Sequence, residues 1–233
     1  MVYDLIRKKG KKKAVLIDPD KYTETHLLRV IEMSEHVDMF LVGGSLMMSN
    51  IENSIKLLKQ NSDKPVVIFP GSTYQLSSRA DALLLLSLIS GRNPEYLIGN
   101  HVVAAQLIRK SKLEVIPTGY ILIEGGTTTS VEYISNTKPI PASKTDIIVS
   151  TAIAGEMLGL RSIYLETGSG AASHVPADAI REVRRTISLP LIVGGGIRSE
   201  KDMDLILKSG ADMIVVGNGI EKNPGLLKKF RNV

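Results

Sequence analysis

The chain has 233 residues, of which 43% are hydrophobic and 23% charged, with a formal net charge of +5. These proportions are those of a globular protein and exclude a disordered one. Cysteine is absent, which excludes disulfides, thiolate zinc sites and a cysteine nucleophile. No apolar run approaches the roughly 20 residues of a membrane span, and the first ten residues carry charges where a signal peptide would be apolar. We expect a cytoplasmic protein with a single domain over residues 1–233.

A basic segment lies near the start of the chain. It consists of Arg7, Lys8, Lys9, Lys11, Lys12 and Lys13. Three interpretations are open: a solvated surface, contact with anionic lipid or substrate, or contact with nucleic acid. Three phenylalanines and no tryptophan offer little for base stacking, so we expect no nucleic-acid partner. Peripheral contact with a membrane stays open.

Short apolar segments rich in β-branched residues alternate with helical patterns along the whole chain. This alternation is typical of repeated βα units with a parallel sheet. Eight strands are predicted, over residues 14–17, 39–42, 66–69, 82–88, 114–120, 162–166, 191–193 and 213–216. Eight such units in about 230 residues predict a (β/α)8 TIM barrel.

The helices between the strands carry recognisable end signals. Ser49 and Glu52 have the spacing of a capping box. Pro176 can open a helix over residues 177–187, and Gly210 can end the following one. These signals support regular βα units around most of the barrel.

The third crossover is too short for a barrel helix. Only about a dozen residues, including Pro70 and Gly71, separate the third strand from the fourth. We therefore predict an irregular segment over residues 70–79, which leaves a gap in the outer ring of helices.

Glycine clusters follow the last three predicted strands. They are Gly168 and Gly170 around Ser169, then Gly194, Gly195 and Gly196, then Gly217 and Gly219 around Asn218. Glycine lets backbone N–H groups approach an anion, and barrels often hold a phosphate beside strands seven and eight. Any one cluster could be only a tight turn. Three at consecutive strand ends predict a phosphate cradle.

Polar side chains occupy one face of the sixth strand. Tyr164 and Glu166 alternate with Leu165, so both can point into the barrel. Buried polar groups need partners, and a substrate with hydroxyl groups would supply them. The alternative is that other barrel side chains satisfy them.

Carboxylates follow the first strand. Asp18 and Asp20 flank Pro19, and Ser45 ends the second strand with a hydroxyl. Such oxygen ligands suit Mg2+, which takes one or two protein carboxylates and completes its shell with water and phosphate. A turn-capping aspartate explains the same spacing equally well. With the phosphate cradle, a magnesium site would imply two phosphorylated substrates and a transferase.

Several motifs occur in order along the chain. They are Leu16-Ile-Asp-Pro-Asp-Lys21, Val42-Gly-Gly-Ser45, Phe69-Pro-Gly-Ser72, Ile116-Pro-Thr-Gly-Tyr120, Tyr164-Leu-Glu-Thr-Gly-Ser-Gly170, Val193-Gly-Gly-Gly-Ile-Arg198 and Val215-Val-Gly-Asn218. With these motifs the chain resembles geranylgeranylglyceryl phosphate synthases over nearly its full length. Asn93-Pro94 and the following helix are similar to the longer, archaeal-type branch of that family.

The resemblance implies a Mg2+-dependent prenyltransferase that joins sn-glycerol 1-phosphate to a long prenyl diphosphate such as geranylgeranyl diphosphate. It implies that Asp18 and Ser45 bind magnesium. The residues expected to hold glycerol phosphate are Tyr164, Leu165, Glu166, Thr167, Gly168, Ser169, Gly170, Gly195, Gly196, Gly217 and Asn218. It further implies a homo-oligomer, either a dimer or a hexamer, and a third helix replaced by a loose strand.

The chain departs from the bacillus-type branch at Leu16, where that branch has a lysine that contacts phosphate. Lys21 or a cation of the basic segment could replace it. Glu166 is a candidate to accept the proton of the attacking glycerol hydroxyl. Tyr96, on the helix after strand four, is a candidate stop that limits prenyl chain length.

Two other enzymes could use the same phosphate cradle. A phosphosugar isomerase would need carboxylates at the ends of strands one and five, but strand five has none before Glu124. An FMN-binding barrel would bind the cofactor through its phosphate.

A barrel without catalytic activity usually loses polar residues at the strand ends, and Asp18, Ser45 and Glu166 are present.

Overall fold

A computed structural model describes residues 1–232 as a closed barrel of eight parallel strands that pair in chain order, β8 closing on β1. The strands are β1 (Lys12–Ile17), β2 (Met39–Val42), β3 (Val66–Ile68), β4 (Ala82–Leu88), β5 (Glu114–Leu122), β6 (Ser162–Glu166), β7 (Leu191–Gly194) and β8 (Met213–Val216). The TIM barrel is confirmed, and every strand end lies within two residues of its prediction.

Alternation along the strands separates two layers of core. In β6, Ile163 and Leu165 pack outward among the residues between sheet and helices, whereas Tyr164 packs inside the barrel with Ile192 and Met213. All five side chains are fully buried. Neighbouring side chains on a strand point to opposite faces, which explains the two layers.

Helices surround the barrel. They are α1 (Val2–Arg7), α2 (Glu24–Glu32), α3 (Ile51–Asn61), α4 (Asn100–Ser111), α5 (Ser130–Ser135), α6 (Thr145–Met157), α7 (Ala177–Thr186), α8 (Glu200–Lys208) and α9 (Asn218–Lys222). A π-helical turn, Glu95–Gly99, leads into α4, and a 3-10 helix, Pro224–Asn232, follows α9. Among the described residues, no helix is both long enough and apolar enough to cross a bilayer.

Two of the helix-end predictions are confirmed and one is wrong. Pro176 precedes α7, and Gly210 follows the last turn of α8 with a φ of +120°. The cap of α3 is Asn50, whose side chain accepts the backbone N–H of Glu52 at 2.9 Å. Ser49 is one residue too early to cap, because its own N–H donates to Asp20 at 2.7 Å.

The segment over residues 70–79 has no regular helix, in a stretch that the structure describes in full. It is held by Gln75, a buried side chain whose amide donates to the Gly44 carbonyl at 2.7 Å. The Gln75 side-chain oxygen accepts the N–H of Gly71 at 3.0 Å. Arg79 pairs with Glu52 of α3 at 3.2 Å. The predicted gap in the helical ring is therefore a well-anchored loop.

The amino end of the barrel is closed by α1. Val2, Tyr3 and Ile6 are buried against the barrel interior, and the N–H of Val2 donates to Glu114 at 2.6 Å. The Lys12 ammonium is buried and donates to the Gly10 carbonyl at 2.8 Å. The basic segment thus lies at the end opposite the carboxyl ends of the strands. This position does not favour the interpretation in which its cations contact the substrate.

Candidate active site

Two joined cavities occupy the carboxyl end of the barrel. The first is a polar cavity of about 470 Å³ over β6, β7, β8 and β1. The second is an apolar groove between residues 70–76, β4, the π-helical turn and α4. Five residues line both, namely Gly44, Ser45, Phe69, Tyr120 and Val131. A molecule could therefore extend from one into the other.

The glycine cradle forms one wall of the polar cavity. Gly195 and Gly196 have φ values of +81° and +66°, a region that L side chains rarely adopt. A side chain at Gly195 would also lie 2.8 Å from the backbone nitrogen of Thr167. Across the cavity, the Ser169 hydroxyl donates to Asn218 at 2.6 Å. Backbone and side-chain donors thus converge on one space, as phosphate binding requires.

Glu166 lies at the base of this cavity. Its side chain is 5% exposed, and it accepts the Gly168 N–H at 2.7 Å. Burial raises the pKa of Glu166 from 4.5 to about 7, against the lowering effect of the Gly168 N–H. A carboxyl group with this pKa can take up or release a proton near neutrality.

Aromatic rings stand where the cavity meets the groove. The ring centroids of Phe69 and Tyr164 are 5.3 Å apart, and those of Tyr120 and Tyr164 are 5.4 Å apart. The Tyr164 hydroxyl is buried beside Glu166 without a hydrogen bond of ordinary geometry among the described residues. An unpaired hydroxyl in a polar cavity is suited to a substrate hydroxyl.

Three residues of the expected substrate set do not line the polar cavity. Leu165 packs outward between sheet and helices, because it alternates with Tyr164 and Glu166. Thr167 and Gly168 lie behind the cradle, where Gly168 turns with a φ of +94° and donates its N–H to Glu166. Their contact with substrate stays a prediction, which their position outside the cavity lining does not support. The other eight residues line the cavity.

The two carboxylates after β1 have different surroundings. Asp18 lines the polar cavity, as does Ser45. Asp20 points away and accepts the backbone N–H groups of Met48 at 2.8 Å and Ser49 at 2.7 Å. Hydrogen bonds from Ser49 and Met48 lower the pKa of Asp20. Asp20 thus organises the loop after β2, whereas Asp18 faces the cavity and accepts the Asp20 N–H at 3.2 Å.

Lys21 is the cation beside Asp18. Its ammonium lies 3.1 Å from the Asp18 carboxylate and 3.8 Å from Glu221. Leu16 also lines the cavity, so the position occupied by lysine in the bacillus-type branch is apolar here. Either Lys21 or a cation of the basic segment could replace that lysine, and of these only Lys21 lines the cavity.

The donor set suits a hard cation that is shared with a substrate. Among the described residues, no three histidine, aspartate or glutamate side chains are grouped as a self-sufficient metal site. Asp18 and Ser45 nevertheless bring a carboxylate and a hydroxyl to one cavity. Mg2+ needs no more from the protein when water and phosphate oxygens complete its shell.

The apolar groove runs away from the aromatic rings along β4. Leu83, Leu86 and Leu88 line one wall, and Ala104 and Ile108 of α4 line the other. The groove exists because no helix covers β4 on the side of residues 70–79.

Tyr96 lines the same groove from the π-helical turn. Its hydroxyl lies 3.5 Å from the Ile134 carbonyl, a weak contact beside the groove. The side chain is therefore in a position to limit how far a ligand can extend.

Sequence reasoning assigned no role to Phe69, Tyr120, Gln75 and Glu221. Phe69 and Tyr120 stand in motifs that the resemblance used, so their position at strand ends was the available signal. Gln75 and Glu221 make contacts with segments distant in the chain, and no local pattern marks them.

Comparison with known proteins agrees with this geometry. Residues 3–233 match the model of the PcrB family. The chain is 49% identical to the geranylgeranylglyceryl phosphate synthase of Spirosoma linguale, covering 94% of this chain and 90% of that protein. It is 37% identical to the enzyme of that name from Methanothermobacter thermautotrophicus, covering 99% and 94%.

A solved structure is similar over the same length. It is the (S)-3-O-geranylgeranylglyceryl phosphate synthase of Thermoplasma acidophilum in complex with sn-glycerol-1-phosphate. The identity is 32%, the TM-score is 0.92, and the alignment covers 99% of this chain and 95% of that one. The chain therefore belongs to the PcrB family, the family of these geranylgeranylglyceryl phosphate synthases.

Proposed function

We propose that this protein is a prenyltransferase that joins one hydroxyl of sn-glycerol 1-phosphate to a long prenyl diphosphate, forming an ether and releasing diphosphate. The observation that carries the proposal is the meeting of a polar, glycine-walled cavity with a leucine-lined groove at Ser45, Phe69 and Tyr120. One end is suited to a small phosphorylated polyol and the other to a long apolar chain. The name of the Thermoplasma acidophilum structure supplies sn-glycerol-1-phosphate, and the relatives' names supply the geranylgeranyl group.

Glycerol 1-phosphate would bind over β6, β7 and β8. Its phosphate fits against the N–H groups near Gly195 and Gly196 and the Ser169 hydroxyl, and its glycerol hydroxyls fit against Tyr164 and Glu166. The unpaired Tyr164 hydroxyl gains a partner when a polyol fills this space.

Asp18 and Ser45 would hold Mg2+ for the diphosphate, with Lys21 close by. When bound, the ion neutralises charge that develops on the diphosphate as it leaves. Lys21 can add a second positive charge to the same group, which replaces the lysine absent at Leu16. This arrangement predicts that turnover requires a divalent cation.

Glu166 would accept the proton of the attacking hydroxyl. The raised pKa keeps its carboxyl group close to balance at neutral pH, where a general base is most effective. As the bond between allylic carbon and diphosphate breaks, positive charge develops on that carbon. Phe69 and Tyr120 line both cavities and would border this point, where an aromatic ring face favours a cation electrostatically.

The prenyl chain would extend along the apolar groove, with Tyr96 as its stop. Burial of each CH2 group contributes about 0.8 kcal/mol, so a long chain gains much of its affinity from this groove. Longer diphosphates would have to displace the Tyr96 ring.

Neither alternative is favoured by the site. Glu124, the first carboxylate after β5, is exposed and does not line the polar cavity, so an isomerase would lack its second acid or base. An FMN-binding barrel needs space for a flavin ring beside the phosphate, whereas here Phe69, Tyr120 and Tyr164 pack closely against one another.

We also propose a homo-oligomer, a dimer or a hexamer. Apolar side chains on the outer side of α4 are exposed, with Val102 at 68%, Val103 at 70% and Leu107 at 56%. A second copy of the chain would bury such a surface. Light scattering of the purified protein measures the mass; a monomer would contradict the proposal.

Membrane contact is proposed at the exposed part of the basic segment. Lys8 and Lys9 are exposed at the amino end of the barrel, where anionic lipid can reach them. Flotation with phosphatidylglycerol vesicles should carry the protein along at low salt, and no binding would contradict this contact.

A product assay tests the function. The protein is incubated with Mg2+, radiolabelled sn-glycerol 1-phosphate and prenyl diphosphates of several lengths. We expect a labelled, organic-extractable prenylglyceryl phosphate, abolished by EDTA, with sn-glycerol 3-phosphate as the matched poor substrate. Absence of any lipid product with every diphosphate would overturn the proposal.

A further inference from the structure

A continuous chain of polar contacts joins the two ends of the polar cavity. Ser169 donates to Asn218 at 2.6 Å, and Asn218 donates to Glu221 at 3.1 Å. Glu221 lies 3.8 Å from the Lys21 ammonium, which lies 3.1 Å from Asp18. The first residue of this series, Ser169, belongs to the cradle, and the last, Asp18, belongs to the proposed metal site. We call these five residues the cross-cavity chain.

The fold explains why these residues meet. Because β1 pairs with β8, the loop that carries Lys21 stands beside α9. Asn218 and Glu221 are three residues apart on α9, so their side chains share one face. The Glu221 carboxylate therefore reaches both the Asn218 amide and the Lys21 ammonium.

We infer that Glu221 is a positioning residue that couples the binding of glycerol phosphate to the binding of magnesium diphosphate. This inference rests on the proposed function, since it assigns one ligand to each end of the cross-cavity chain. Neither Glu221 nor Lys21 has to contact glycerol phosphate for the coupling to operate.

The distances indicate the direction of the coupling. Lys21 is closer to Asp18, at 3.1 Å, than to Glu221, at 3.8 Å. Its ammonium therefore pairs with the carboxylate that Mg2+ would use. A phosphate in the cradle recruits the Ser169 hydroxyl and the Asn218 amide, which frees Glu221 from Asn218. The free carboxylate then attracts Lys21 and releases Asp18 to the metal.

Filling both sites leaves every charge of the chain with a partner. Asp18 faces the metal, Lys21 faces Glu221 and the diphosphate, and Asn218 faces the phosphate. When only one of the two ligands is bound, contacts break at its end of the cross-cavity chain and no new partner forms at the other end. Each ligand should therefore raise the affinity of the other by the same factor.

Calorimetry of the full-length protein measures this factor. The affinity for sn-glycerol 1-phosphate is titrated with and without magnesium pyrophosphate, which stands in for the prenyl diphosphate head. We expect a gain of about fivefold or more in the unaltered protein. In Glu221→Gln, which keeps an oxygen acceptor for Asn218 but has no charge for Lys21, the factor should fall to near one.

The matched control is Glu182→Gln, which removes an exposed ion pair with Arg185 on α7, away from the cavity. It should keep the full factor. If Glu221→Gln does not fold, Lys21→Met replaces it, since Lys21 is exposed and its loss should equally abolish coupling.

The outcomes separate the inference from the proposed function. A factor near one in the unaltered protein, or a full factor in Glu221→Gln or Lys21→Met, overturns the coupling and leaves the function standing. If the unaltered protein does not bind sn-glycerol 1-phosphate under any condition, the proposed function is contradicted and so is the coupling.

Discussion

The polar cavity and the apolar groove are shaped by different parts of the chain. Backbone forms the cavity: Gly195 and Gly196 adopt conformations that other residues rarely reach, and Gly168 orients Glu166. Side chains form the groove, where leucines of β4 are uncovered because no helix follows β3. Substitutions in the cavity should therefore abolish function, whereas those in the groove should only adjust it.

The largest effect is expected at Glu166. Glu166→Gln keeps the shape and the acceptor for Gly168 but cannot take a proton, so turnover should fall about 1,000-fold. The KM for glycerol phosphate should change by less than about tenfold, since the hydrogen bonds persist. Steady-state kinetics at saturating diphosphate provide the measurement, and unchanged turnover would reject this role.

The next effect concerns the backbone of the cradle. Gly195→Ala would press a methyl group against the Glu166 carboxylate and the Thr167 hydroxyl, and place it 2.8 Å from the Thr167 nitrogen, at a φ of +81°. The affinity for glycerol phosphate should therefore fall about 100-fold. Gly159→Ala is the matched control, because Gly159 lies outside the cavity with a similar φ of +80° and no atom within 4 Å of the added carbon. Equal losses in both variants would show that crowding at Gly195 is unimportant.

Much of this cavity could be predicted from the sequence because its signals are local. Glycines after consecutive strands and the alternation of Tyr164 with Glu166 need no tertiary information. Leu165 belongs to the same contiguous motif but packs on the outer side of the sheet, because every second residue of a strand faces away from the barrel interior. Glu221 makes its contact with Lys21 only through barrel closure, which no spacing along the chain reveals.

The groove was predictable only in part. The short crossover indicates a missing helix, and residues 70–79 confirm it. The anchor of that loop, Gln75, could not be found, since its partner Gly44 is 31 residues away. Ser49 has the spacing of a helix cap, but the hydrogen bond of its N–H to Asp20 places it outside α3.

A smaller effect links the cavity to stability. Glu166 has a pKa of about 7 when folded and 4.5 as a free side chain, so the folded state binds the proton more tightly. Stability from this group is therefore complete below about pH 4.5 and declines as the pH rises to about 7, by at most about 3 kcal/mol. The stability of the Glu166→Gln variant should not show this decline with pH, because glutamine does not titrate.

Chemical unfolding of the ligand-free protein at pH 5 and pH 8 provides the test. The unaltered protein should lose stability relative to Glu166→Gln between the two values. A constant difference would mean that Glu166 titrates near its ordinary pKa and that burial does not disfavour its charge.

The smallest effect is expected in the groove. Tyr96→Ala should leave turnover with the preferred diphosphate within about threefold and shift the preference towards longer chains by opening the space beyond the ring. The matched control is Tyr74→Ala, since Tyr74 is 93% exposed in the loop over residues 70–79 and does not line the groove. Mass spectrometry of the products measures their prenyl chain lengths. An unchanged distribution of chain lengths in Tyr96→Ala would mean that another residue limits the chain.

The division of the barrel mouth into two binding regions is tested most directly by a crystal structure with both ligands. The protein is crystallised with sn-glycerol 1-phosphate, Mg2+ and a geranylgeranyl thiodiphosphate that cannot react. The phosphate of glycerol phosphate should lie against Gly195, Gly196 and Ser169, with the prenyl chain along Leu83 and Leu86 towards Tyr96. A chain that leaves the barrel by any other route, or a glycerol phosphate outside the polar cavity, would contradict the account.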